Sequence, residues 1–343
     1  MEIKIGKKKV GDNLPCFIIA EIGSNHNQDF DLAIELIDAA AEANVDAVKF
    51  QTFKSSEHYS KNTPEFSNMK KINISELVES LEIDRTWQVD LQSHAEKKGL
   101  LFFSSPCDSD AIQGLAKLNV PAYKIASFDI TDDRLIGEIA KVGKPIILST
   151  GLASLNDIQF AVDTAKQNGN DDIILLQCTS LYPAPSNLSN LNAMKTMRTA
   201  FGNLVGYSDH TIGDHVTIAA VTLGACMIEK HFSLDREMPG PDHSFAIEPL
   251  ELKEMVIKIR EIEESLGDGI KNGPRNEEIE MAEKARRSIH AKSDIKQGEI
   301  ITDEMLCAKR PGFGISPQLR SRIIGRKAIK DIVADEWITW DMI

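Results

Sequence analysis

The 343-residue sequence predicts an α/β fold: a (β/α)8 TIM barrel over residues 1–270, a linker at 271–285 and a small C-terminal domain at 286–343. Three observations carry the prediction. Eight short apolar runs recur between residues 16 and 232, most of them followed by an amphipathic or Ala-rich stretch. The runs are continuously rich in Ile, Leu and Val, as strands buried on both faces of a parallel sheet must be. Past residue 270 the pattern stops and a short internal repeat begins. A doubly wound open sheet competes for the same alternation, but eight βα units over roughly 250 residues favour closure.

The first run, CFIIAEIG (16–23), leads into FDLAIELIDAAAEA, a helix with Asp29 as its N-cap. DAVKFQT (46–52) is followed by a long connection, residues 53–83. In a barrel that insertion falls on the C-terminal face and is expected to fold over a substrate, with a plain surface loop as the alternative. LLFFSSP (100–106), AYKIAS (122–127) and PIILSTG (145–151) come next, then ASLNDIQFAVDTAKQ, capped at Ser154. DIILLQC (172–178), LVGYSDH (204–210) and CMIEKHF (226–232) complete the eight, and PLELKEMVIKIREIEESL ends at Gly267-Asp268-Gly269. KNGPRNEEIE then reads as a linker. Beyond it, Asp294-Ile295-x-x-Gly298-Glu299-x-Ile301-Thr302-x-x-Met305 recurs as Asp331-Ile332-x-x-Asp335-Glu336-x-Ile338-Thr339-x-x-Met342, which predicts a compact pseudo-symmetric unit. Its core is small, so docking on the barrel or on another subunit is expected.

Net charge is −13, from 39 basic and 52 acidic residues. Such a surface repels phosphates and anionic lipid heads, so neither nucleic acid nor a membrane is an expected partner, and an anionic small substrate needs local lysines to hold it. No apolar run approaches the roughly 20 residues that span a bilayer, and MEIKIGKKKVGDN lacks the apolar stretch of a signal peptide. Five scattered cysteines without a C-x-x-C pair read as free thiols of a reducing, cytoplasmic setting.

In this architecture chemistry gathers at the C-terminal strand ends, and the two-residue period of a strand sorts side chains by face. The first strand carries Ile19, Glu21 and Gly23 on one face; the second Ala47, Lys49 and Gln51; the fourth Lys124; the seventh Ser208 and His210; the eighth Met227, Glu229 and His231. Charged groups inside an apolar barrel need a partner, a metal or a ligand. His210 and His231 fall at matching depth on neighbouring strands, which leaves two readings: hydrogen-bonded rim residues, or two imidazoles on one divalent metal. Of the other histidines only His26 and His243 fall in rim loops. Lys49 and Lys124 read either as a Schiff-base lysine with a neighbour or as fixed charges for a phosphate or carboxylate. A ring of hydroxyls at Ser105, Ser127, Ser149, Thr150 and Ser208 favours the second.

The strings AEIGSNHNQD, VKFQTF, FFSSP, AYKIASFD, ILSTGLAS, LLQCTSLYPAP, GYSDHT, IEKHFSLD, PGPDHSFAIEP and KRPGFGI together resemble, in order, the motifs of the sialic acid synthase family. The resemblance covers nearly the whole chain and implies that residues 286–343 form an antifreeze-like (SAF, β-clip) domain. It also implies condensation of phosphoenolpyruvate with an N-acetylated amino sugar by a domain-swapped homodimer. His210 and His231 then match ligands of Mn2+ or Mg2+, and Glu21 a carboxylate near the reacting centre. Lys49, Ser105, Lys124, Ser127, Ser149 and Ser208 match phosphoenolpyruvate contacts. Gln51, Ser180, Tyr182 and Asp242 match the amino-sugar end, as does Arg310, the last delivered from the partner subunit. Ser180 and Ser105 stand where some members have Asn and Thr, Cys107 where Phe is frequent, and Asp129 where Glu is common. The Gly240-Pro241-Asp242-His243 block favours the N-acetylneuraminate or legionaminate branches over the pseudaminate one. An aldolase working in the cleavage direction and a non-catalytic binding protein are the competing classes.

Overall fold

The computed structural model describes residues 1–60, 62–63 and 74–343. An antiparallel hairpin, β1 (Glu2–Ile5) and β2 (Lys8–Gly11), comes first. Eight strands follow: β3 (Phe17–Gly23), β4 (Ala47–Thr52), β5 (Leu101–Pro106), β6 (Tyr123–Ile125), β7 (Ile146–Ser149), β8 (Ile173–Cys178), β9 (Leu204–Asp209) and β10 (Met227–His231). Every neighbouring pair is parallel, and β10 pairs with β3, so the sheet closes into a barrel and the open-sheet alternative is excluded. Each of the eight apolar runs contains one strand.

The helices start where local chemistry dictates. Asp29 accepts the free N–H groups of Asp31 and Leu32 ahead of helix Phe30–Glu42, and Ser154 forms a capping box with Asp157 ahead of Leu155–Gln167. Pro249 opens the 18-residue helix Pro249–Leu266, which stops at Gly267 with φ +61°. Helix and strand side chains share one core that runs from Phe17 to Ile259.

The hairpin escapes the eight-run reading. Ile3, Ile5 and Val10 belong to the same barrel core, and Gly6 approaches Leu101 and Pro121 closely enough that a Cβ there would touch both. Lys8 pairs with Asp46 and Arg198 with Asp12, so the hairpin lies across the N-terminal end of the barrel.

The chain divides into two compact units, Met1–Gly267 and Asp268–Ile343. In the second, the polar stretch after residue 270 includes helix Ile279–Ala285, and β11 (Ser288–Ala291) pairs antiparallel with β12 (Leu306–Lys309). The internal repeat appears as reciprocity. Ile295 and Ile332 exchange both backbone hydrogen bonds, Asp331 accepts from the Gln297 N–H, and Asp294 accepts from the Ala334 N–H. Gly298 and its counterpart Asp335 both take left-handed backbones, φ +84° and +72°. This unit has its own apolar core around Ile289, Ile295, Ile301, Ile332 and Ile338. Among the described residues no helix is long and apolar enough to cross a membrane. Residues 61 and 64–73 of the expected substrate-covering insertion lie outside the described residues.

Candidate active site

Strand register brings the polar residues of the barrel to one level near its C-terminal end. Glu21 is opposite Lys49, Gln51 opposite Ser105, Glu229 opposite Ser208 and His231 opposite Glu21. The parity predicted for β3, β4, β9 and β10 places these groups in the lumen. A bulge between Glu21 and Gly23 turns the tip of β3, where Gly23 (φ +56°) leaves no room for a Cβ beside the Glu21 carboxylate and the Gln51 amide.

Four charges form the floor of the site. Lys49 Nζ lies 2.8 Å from Glu21 Oε2 and 3.8 Å from Glu229 Oε2, and Lys124 Nζ lies 3.5 Å from Glu229 Oε1, all four side chains almost fully buried. Lys49 also donates to Ser105 Oγ, Gln51 Nε2 to Glu21 Oε1, and Ser208 Oγ to Glu229 Oε1. The two carboxylates are pushed apart. Burial raises Glu21 despite the pull of Lys49, whereas at Glu229 the two ammonium groups overcome burial and hold the carboxyl low. Burial lowers Lys124, while Glu21 and Glu229 outweigh it at Lys49. With opposite shifts, Glu21 takes up a proton more readily than Glu229.

Above this floor stand the imidazoles, their ring centroids 5.4 Å apart. His210 Nδ1 is 2.7 Å from the Thr179 carbonyl, which assigns the proton to Nδ1 and leaves the Nε2 lone pair free. His231 Nδ1 is buried without a hydrogen-bond partner, 3.6 Å from Asp242 Oδ2. Burial lowers both imidazoles, and at His231 the neighbouring positive charges add to it, so both are neutral, the form that ligates metals. A ring separation of 5.4 Å lies within the span of a single ion bound by one nitrogen of each ring at about 2.1 Å. The donor set therefore fits one divalent cation with several positions left open. Among the described residues no group of three His, Cys, Asp or Glu has metal-binding geometry. Tyr182 packs on His210 (4.4 Å) and Phe245 on His231 (5.1 Å), walling the pair on one side. Burial beside Glu21 pushes Asp242 up to about 7.

A second cluster lies at the tips of β6, β7 and β8. The Gly151 N–H donates to Ser127 Oγ (3.0 Å) and Cys178 Sγ (3.1 Å), and Ser180 Oγ is buried without a partner. An added Cβ on Gly151 would stand 2.3 Å from Ser180 Oγ, so glycine is what leaves this space open. Ser149 is buried at the end of β7. Thr150 does not join the expected hydroxyl ring. Its hydroxyl donates to the Leu176 carbonyl beside Met197, in a 410 Å³ cleft outside the barrel wall, because adjacent residues of a strand face opposite ways. Arg310 is exposed just after β12 in the second unit. The rim histidines are occupied locally: His243 Nδ1 bonds Ser233 Oγ, and His26 Nδ1 accepts from the Gln28 N–H.

Sequence reasoning gave no role to Glu229, although its parity with His231 was the signal; it also passed over Gly151 and Cys178. Gln51, expected at the sugar end, holds Glu21, and Ser208, expected on phosphoenolpyruvate, holds Glu229.

Comparison with known proteins follows the same division. Residues 36–271 match the NeuB family and residues 286–343 the SAF domain. An N,N'-diacetyllegionaminic acid synthase of Campylobacter jejuni is 43% identical over 328 residues, covering 94% of this chain and 98% of the relative. A pseudaminic acid synthase of the same species is 36% identical over 327 residues, covering 92% and 93%. The crystal structure of an N-acetylneuraminic acid (sialic acid) synthetase from Leptospira borgpetersenii, in complex with citrate, superposes with a TM-score of 0.74 at 37% identity, covering 82% of this chain and 95% of that one.

Proposed function

The chain belongs to the NeuB family of sialic (nonulosonic) acid synthases, and from that premise we propose that it condenses phosphoenolpyruvate with an N-acetylated amino sugar of the N-acetylmannosamine type and water, releasing phosphate. The observation that carries this reading is the quartet of Lys49, Lys124, Glu21 and Glu229 beside two neutral imidazoles whose rings are 5.4 Å apart. It supplies two buried ammonium groups that can turn from their carboxylates to an anion, and an electrophile's seat beside them.

Lys49 and Lys124 hold the carboxylate and phosphate of phosphoenolpyruvate, with Ser105, Ser127 and Ser149 donating at the anion end; Ser180, which the resemblance put at the sugar end, joins them from its place beside Ser127 and Gly151. His210 and His231 would hold a divalent ion, Mn2+ or Mg2+, which when bound polarises the sugar's carbonyl as a Lewis acid. Held in register, C3 of phosphoenolpyruvate attacks the sugar's aldehyde carbon, and positive charge develops at C2. Glu21, raised by burial and steadied by Gln51, orients the water that adds at C2, takes its proton and returns it to the alkoxide formed at the former aldehyde carbon. Phosphate then leaves with cleavage of its C–O bond. Glu229 stays ionised and neutralises the lysines when the anion is absent. Tyr182 and Asp242 line the sugar side, and Arg310 reaches the N-acetyl group from the partner subunit of a domain-swapped homodimer.

A second acceptor, 2,4-diacetamido-2,4,6-trideoxymannose, is favoured by the 43% identity to the Campylobacter legionaminic acid synthase. The test is to incubate purified protein with phosphoenolpyruvate, Mn2+ and each sugar, scoring phosphate release and product mass. Phosphate with a mass equal to the sum of sugar and pyruvate identifies the acceptor. No phosphate with either sugar, or borohydride trapping of a ketoacid on Lys124, would overturn the proposal in favour of an aldolase.

A further inference from the structure

On the outer face of β9 and β10, one residue before each imidazole, lies another pair of opposite charges. Asp209 and Lys230 are register partners in the parallel ladder, and their side chains are 0% and 2% exposed. Lys230 Nζ donates to Asp209 Oδ2 (2.8 Å) and to the Thr211 carbonyl (2.7 Å). Asp209 Oδ1 accepts from the Thr211 N–H (2.8 Å), and Oδ2 from Thr217 Oγ1 (2.7 Å) on helix His215–Thr222.

The ion pair itself is not explained by stability or by the reaction. Desolvating two charges costs about as much as their attraction returns, and an apolar pair of similar volume is commonly as stable or more so. The backbones of both strands stand between the pair and the lumen, so neither group touches a reactant. What the network does is mechanical. It folds the Asp209–Thr211 segment, which carries His210, onto Lys230, whose next residue is His231. The His210 ring is then held from the other side by the Thr179 carbonyl.

We propose that the Asp209–Lys230 pair is a positioning device that fixes the separation and facing of the His210 and His231 imidazoles, and thereby how tightly they hold a divalent cation. The proposal rests on the reading above that the two rings share one cation. Its test is the double variant Asp209→Leu/Lys230→Met, with Thr217→Val as a milder probe that removes a single bond to Asp209. Three quantities are read: Tm of the metal-free protein, Mn2+ affinity by calorimetry, and the imidazole 15N spectrum without metal. The double variant is expected to stay folded but melt lower, because the Thr211 N–H and carbonyl and the Thr217 hydroxyl lose buried partners, to bind Mn2+ at least about tenfold more weakly, as loss of groups that orient metal ligands commonly does, and to lose the protected His210 Nδ1–H signal. Its kcat falls while KM for phosphoenolpyruvate holds. Thr217→Val shows a smaller loss in the same direction. A folded double variant with wild-type Mn2+ affinity and imidazole spectrum overturns the positioning role; if the double variant does not fold, the same result for Thr217→Val does. Wild-type protein that binds no Mn2+, or a His210→Ala variant that binds it as tightly as wild type, overturns the shared-cation reading instead, and the metal-free spectra then decide the positioning claim alone.

Discussion

Replacing Gly151 by alanine is expected to block the anion end of the site while leaving the barrel folded. The Gly151 backbone lies outside the left-handed region, so alanine introduces no strain of its own. Its methyl group would stand 2.3 Å from Ser180 Oγ and 2.9 Å from both Cys178 Sγ and Ser127 Oγ. Ordinary contact begins at roughly 3.5 Å, so Ser180 must retreat by about 1 Å. Ser180 Oγ is the end of a short side chain that can rotate, but the buried Cys178 and Ser127 must also yield, which puts the folding cost within the about 1–3 kcal/mol typical of overpacking. Binding suffers more. A hydroxyl lost from a charged ligand removes about 1.5–3 kcal/mol, or roughly 10- to 150-fold at 1.4 kcal/mol per decade. Phosphate release measured against phosphoenolpyruvate at saturating sugar, beside a thermal melt, reads both effects. The expected result is a KM for phosphoenolpyruvate raised by that factor with a Tm only a few degrees lower. A wild-type KM in a variant whose Tm has fallen would refute the reasoning and make the Gly151 space a packing requirement alone.

Glu229→Gln leaves Lys124 without its carboxylate partner, at a cost of about 3–5 kcal/mol in urea denaturation, since a buried charge is left uncompensated. Raising the pH should recover part of it, because Lys124 is already depressed by burial and sheds its proton the more readily; an unchanged melt contradicts the buried quartet. His26, buried between Phe50 and Trp87, has its imidazole pushed down to about 4. Below about 6.5 the unfolded chain therefore takes up that proton first, and His26 by itself should take roughly 3 kcal/mol from wild-type stability as the pH drops from 6.5 to 4. Denaturation at the two pH values should show a shallower fall in His26→Gln, and equal slopes would count against it. Arg310→Ala is expected to raise KM for the sugar far more than KM for phosphoenolpyruvate in steady-state assays, and equal effects would remove Arg310 from the sugar end.

Most of the barrel was legible because strands buried on both faces cannot hide their apolar runs, and parity then sorted Glu21, Lys49, Lys124, Ser208, His210 and His231 correctly onto the lumen. Parity fails where the strand does. Ser180 and Tyr182 follow β8 in a loop, and only the resemblance singled them out. Thr150 was misjudged for a simpler reason: it adjoins Ser149, and neighbours on a strand cannot share a face. Glu229 sat in plain view two residues before His231, but a carboxylate that neutralises lysines bears no motif of its own. The Asp209–Lys230 pair is readable only once the register of β9 against β10 is known. The N-terminal hairpin alternates in EIKI as a half-buried strand should, yet four residues are too few to stand out beside runs twice as long.

That hairpin has a kinetic consequence. With Ile3, Ile5 and Val10 packed into the core at one end of the barrel, the polar well formed by the described strand tips is approached from the C-terminal end. Whatever rests on Lys49 and Lys124 at its bottom must arrive before anything that settles over the imidazoles, and must wait for that upper occupant to depart. On the reaction proposed above, turnover is then expected to be ordered, the small anion first in and the bulkier molecule first out.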